Sequence, residues 1–203
     1  MLKRLVAIIK ENRSWMFLAT FFFALGFFIT YSALSREPEL FSLLEQTSIP
    51  LMRELAELVF SGNPLRGVLI LFIHNLTSSL QVIILGLLLG IPALFSAIAN
   101  GTVLGLVAAQ LAQEGIQPLR FLLAGVLPHG VFELPAFLLC AAFGLKLGYH
   151  IVFPLPGYKR LASIRLIFRE IGYALPVIAL LLAIAALLEV LVTPELVKYF
   201  LLP

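Results

Sequence analysis

Five long apolar runs, separated by charged or proline-bearing stretches, decide most of what this 203-residue chain can become. A bilayer core about 30 Å thick is crossed by roughly 20 helical residues. Runs of that length predict spans over about 15–34, 65–89, 92–112, 121–147 and 173–192. Only 12% of the residues are charged and 61% are hydrophobic, far from the balance of water-soluble domains. In lipid every backbone polar group must be satisfied internally, which leaves the helix as the spanning element. The expected fold class is therefore all-α: one polytopic helical membrane domain over residues 1–203, with lipid as its first partner. The apolar runs are too many and too late for a secretory leader, and the first lacks a small-residue cleavage site.

The net charge of +3 does not point to nucleic acid, because the basic residues flank the spans. With the N-terminus inside, Lys3, Arg4, Lys10 and Arg13 share the cytoplasmic side with Lys146, Lys159, Arg160, Arg165 and Arg169. Only Arg36, Arg53, Arg66, Arg120 and Lys198 are left outside. The positive-inside rule then predicts a multi-pass protein of the cell membrane, N-terminus cytoplasmic and C-terminus outside.

Two connecting segments have their own pattern. Within 35–64, Leu51, Leu55, Leu58 and Val59 mark one face at helical spacing, opposite Arg53, Glu54 and Glu57. This predicts an amphipathic outer helix after Pro50, ended by the Ser-Gly-Asn-Pro stretch at 61–64. Its apolar stripe either packs on the protein's own spans and the lipid interface or docks an envelope-protein partner. The segment 150–171 interleaves Lys159, Arg160, Arg165 and Arg169 with Leu161, Ile164, Leu166 and Phe168, a pattern that lies on anionic headgroups.

Polar groups inside the spans carry more information, since burying them in lipid is costly. The second span holds His74 and Asn75, the third Asn100 and Thr102, and the fourth His129 and Glu133. At about 1.5 Å per residue, His74 and His129 fall roughly 14 Å below the outer ends of their spans, and Asn100 and Glu133 about 18 Å. Three helices thus offer polar groups at matching depth. Pro128 and Pro135 bracket the histidine and glutamate and withhold donors from the Ala124 and Val131 carbonyls, which predicts a kinked or broken fourth helix. Gly101 and Gly105 form a GxxxG element for close helix packing, in cis or between copies.

His74, His129 and Glu133 form a ligand set suited to zinc or another divalent metal, with a coordination position left for water. The same groups also suit an ion or proton path, or a hydrogen-bonded network that fixes helix register. No catalytic residue is assigned: Ser78 and Ser79 lack a nucleophile's setting, and the lone Cys140 lies among apolar residues.

The motifs "HN" in span two, "ANGTVLG" in span three and "LPHGVFELPAFLLCAAFGLKLG" in span four, after an amphipathic outer segment, resemble the stage II sporulation protein M family. The resemblance covers nearly the whole chain and is most specific at "PHGVFELPA". It implies a helical membrane protein of about five spans. Its sporulating members work with the peptidoglycan-degrading stage II sporulation proteins D and P during engulfment, as a membrane anchor or organiser. The family motif maps onto His129, Gly130, Glu133 and Pro135, with Asn75 and Asn100 as further intramembrane positions. The function expected first is a non-enzymatic membrane scaffold or partner-recruiting component of an envelope-remodelling or membrane-organising system. The alternatives are a zinc-type metal-binding protein or intramembrane metalloenzyme using the His-His-Glu cluster, and an ion or small-solute transporter working as a dimer.

Overall fold

The computed structural model describes residues 2–35 and 54–201, with side chains over 6–35 and 54–200. These residues form α1 (Leu2–Glu11), α2 (Arg13–Leu34), α3 (54–60), α4 (Pro64–Leu85), α5 (Ile91–Gln113), α6 (Pro118–Phe121), a π-helical turn (Leu122–Val126), α7 (Leu127–Val152), α8 (Arg160–Leu191) and α9 (Thr193–Leu201). The described residues include no strand. Five stretches are long and apolar enough to cross a membrane: α2, α4, α5, the run from α6 through α7, and α8. The all-helical fold and its five expected spans are thus found.

α7 is the hub. Every residue from Leu139 through Gly148 is buried, as fits a stretch that is apolar or small at every position but Lys146. It packs against α8, α4, α2 and α5, with Phe143, Leu147, Ile167, Ile178 and Leu182 among the largest side chains in the core. Small residues set the spacing. Gly86 meets the Gly144 backbone, and a Cβ added to Gly148 would overlap the Gly90 amide, so the turn joining α4 to α5 is seated directly on α7. Within that turn Leu89 and Gly90 take positive φ of 58° and 74°, which reverses the chain in few residues.

The second close contact is between α2 and α5. Cβ atoms at Gly101 and Gly26 would overlap the Phe23 and Ile98 carbonyls, and one at Gly105 would sit 2.6 Å from the Phe27 carbonyl oxygen. The GxxxG element is therefore used in cis, against the first span.

Two boundaries differ from the sequence expectation. Residues 160–171, read as a headgroup-lying segment, are the first turns of the 32-residue α8. Ser163, Ile167 and Ile171 there are buried, beside Ile8 of α1. Lys146, counted with the cytoplasmic charges, is inside the bundle at 7% exposure because Glu170 and Asn12 receive it there.

Candidate functional site

The fourth span enters the bundle irregularly. α6 gives way to the π turn, closed by a bond from the Leu127 amide to the Leu122 carbonyl, and α7 begins with Pro128 in its first turn. Proline has no amide to offer the Ala124 carbonyl, so an ordinary α-helical bond is impossible at that point. The wider turn absorbs the mismatch, and such turns are frequent at functional sites. The irregularity expected from the prolines thus lies just before His129. Pro135 is carried within a continuous α7.

Beyond this turn, His129 and Glu133 sit one turn apart and face the last span. His129 Nε2 lies 3.9 Å from Glu189 Oε2, and His129 Nδ1 lies 3.2 Å from the hydroxyl of Thr193. One ligand atom from each of His129, Glu133 and Glu189 falls within 4.8 Å of the others. When Nδ1 donates to Thr193 Oγ1, Nε2 is left with its lone pair aimed at the carboxylates, the tautomer a metal-binding histidine needs.

These three groups line a cavity of about 450 Å³ together with His74, Asn75 and Asn100. Its walls come from α2, α3, α4, α5, α6, the π turn, α7 and the end of α8. A second cavity of about 390 Å³ shares His74, Asn75, Asn100 and Glu133, and continues between α4 and α5 past Ser78, Gln81 and Ser96. Asn100 donates to the Ser96 carbonyl at 2.9 Å. The Asn75 amide nitrogen is buried and has no hydrogen-bond partner among the described residues. A buried amide donor left open is unusual in a folded protein and marks a place where an acceptor belongs.

The structure therefore places His74, Asn75, Asn100, His129 and Glu133 around one space. It also separates them by role. The tight group is His129, Glu133 and Glu189, whereas His74 lines the cavity outside that group. Glu189 was missed by the sequence reading. Its signal was available: it is the one acidic residue in the fifth apolar run, but near the expected end of that span a carboxylate looks inexpensive. In the outer segment, Leu51 lies outside the described residues. Leu55 and Val59 pack with Leu71, Ala186 and Val190, while Leu58 is 49% exposed.

The chemistry of the donor set suits a cation. Two ionised carboxylates this close in a low-dielectric interior repel unless a proton or a cation stands between them. Zinc holds N and O ligands at about 2.0–2.2 Å, which puts tetrahedral ligand atoms about 3.3–3.6 Å apart. His129, Glu133 and Glu189 would hold such an ion, their ligand atoms now lying within 4.8 Å of one another.

The family model described as Stage II sporulation protein M matches residues 16–194, which include every residue of this cavity. An uncharacterized protein of Methanocaldococcus jannaschii is 29% identical over 130 residues, covering 62% of this chain and 72% of that protein. No solved structure matches the chain.

Proposed function

The chain belongs to the stage II sporulation protein M family, and we propose that it is a cell-membrane protein, N-terminus cytoplasmic and C-terminus outside, that holds a divalent cation within its helix bundle. The observation that carries this reading is the convergence of His129, Glu133 and Glu189 from two spans onto one cavity. Ionisable groups inside a membrane bundle are retained for partners, and among the described residues no lysine or arginine forms an ion pair with Glu133 or Glu189. A cation would tie α7 to the end of α8 and reconcile the two carboxylates. Purified in detergent without added metal, the protein should carry about one zinc-type cation per chain. Cobalt substitution should give the visible spectrum of a low-coordinate N/O site. His129→Ala and Glu189→Gln should each remove both signals. Absence of bound zinc, cobalt or manganese in the wild-type protein after direct titration overturns the reading, as does full binding by Glu189→Gln.

A second reading takes up the organiser role that family resemblance implies: a non-enzymatic scaffold that recruits an envelope protein at its α3 end. It is favoured by Leu58 and Phe60, which stay exposed while Leu55 and Val59 anchor the helix. Leu58→Asp should abolish capture of that partner in cross-linked membranes while Leu180→Asn, at an exposed position on α8, leaves it intact. Equal capture by both variants overturns it.

A further inference from the structure

Most of the outer surface of the bundle is what lipid requires. α2 shows Phe17, Phe21 and Phe28 to the outside, and α8 shows Leu180 and Leu187. α4 differs. His74, Thr77, Ser78 and Gln81 follow one another at i, i+3, i+4 and i+7, and all four are exposed midway along a 22-residue helix whose remaining residues are mostly apolar. Their side chains make no hydrogen bond among the described residues. Across the cleft Asn100 of α5 is exposed too. α4 and α5 touch little beyond their connecting turn, so the cavity running past Ser78, Gln81 and Ser96 is open on its outer side.

Lipid offers such groups no partner: a polar line at this depth is tolerated where protein covers it or where it lines a closed, water-filled cavity, and a cleft open on its outer side meets neither condition until something closes it. We propose that a second copy of this chain covers it, with α4 packed against α4 about a two-fold axis. Imidazole, hydroxyl and carboxamide groups each donate and accept hydrogen bonds. The stripe therefore complements itself, as an isologous two-fold contact demands, and it holds no lysine, arginine or carboxylate that would set like charges against each other. The usual small-residue route to association is already taken, because Gly101 and Gly105 are filled by α2. Pairing along α4 also closes the open side of the cleft, so the polar cavity is completed only in the dimer. The inference rests on the exposed stripe and stands whether or not a cation occupies His129, Glu133 and Glu189.

Cysteine cross-linking in membranes tests it. The sole native cysteine, Cys140, is fully buried, so the wild-type chain should give no disulfide-linked species. Ser78→Cys or Gln81→Cys should give a disulfide-linked species of twice the chain mass on mild oxidation. Phe17→Cys and Leu180→Cys, on the lipid-suited surfaces, should not. Replacing Ser78 and Gln81 together by Leu should shift the detergent-solubilised protein from dimer to monomer by light scattering. Cross-linking that is equal at Phe17→Cys, cross-links only to a protein of another mass, or a monomeric wild-type particle carrying only lipid would each overturn the proposal. The metal titration is an independent readout, so failure of one does not imply failure of the other.

Discussion

Lys146 Nζ lies 2.6 Å from Glu170 Oε2 and 2.9 Å from Asn12 Oδ1, an ion pair set into the bundle where α7 and α8 approach the start of α2. The lysine side chain is 8% exposed and the glutamate 28%, so the pair is sheltered but not dry. Asn12 completes the arrangement by donating to the Ile8 carbonyl, which ties α1 to the same point.

Removing one partner from such a pair should cost far more than removing both. Lys146→Met strands the Glu170 carboxylate, and loss of about 3 kcal/mol is expected, at the low end of the range for broken buried pairs because Glu170 retains some solvent. Adding Glu170→Leu to Lys146→Met should restore most of that loss. Unfolding in mixed detergent micelles measures both, and equal destabilisation by the single and double variants would show that the pair is not coupled.

The contact of Gly148 with the Gly90 turn gives a sharper contrast between two glycines. A methyl at Gly148 meets backbone atoms that cannot yield easily, whereas one at Gly172 of α8 meets nothing within 4 Å. Gly148→Ala should therefore destabilise the protein by about 1–3 kcal/mol through overpacking. Gly172→Ala should stabilise it by up to about 1 kcal/mol, because it removes chain entropy from a helix interior at no steric cost. The same micelle titration reads both, and a neutral Gly148→Ala would mean that the turn is not seated as closely as the backbone places it.

What was legible in the sequence follows from what lipid enforces. Span number comes from hydropathy, and the irregular entry to the fourth span comes from the missing proline donors, so both could be read directly. Pairings between distant helices could not. Glu170 lies in a stretch that looks like a solvated basic segment, and only its meeting with Lys146 shows that α8 begins inside the packed region. His74 and Glu189 make the same point for the cavity. Glu189 is the one acidic residue of its apolar run and His74 stands in a polar stretch of α4, and only the relative rotation and tilt of α4 and α8 put Glu189, and not His74, within reach of His129 and Glu133. Glycine spacing marked α5 as a packing helix, but the choice of α2 as its neighbour depends on shape across the interface.

Asn75 separates a structural polar group from a ligand-binding one. Its amide nitrogen is buried without an acceptor, a state that disfavours the fold unless something else fills the need. If protein stability were its only role, Asn75→Leu, of similar size, would be neutral or mildly stabilising. Asn75 also lines both cavities, as Glu133 does. Asn75→Leu should therefore leave unfolding within about 0.5 kcal/mol of wild type, as for a substitution that makes no cavity. It should also weaken zinc binding at least about tenfold, the loss of about 1.4 kcal/mol expected for an orienting contact outside the ligand set. Titrating wild type and variant side by side with zinc checks both. Unchanged affinity together with unchanged stability would assign Asn75 no part in the site, and a large loss of stability would show that its amide is already satisfied in the folded protein.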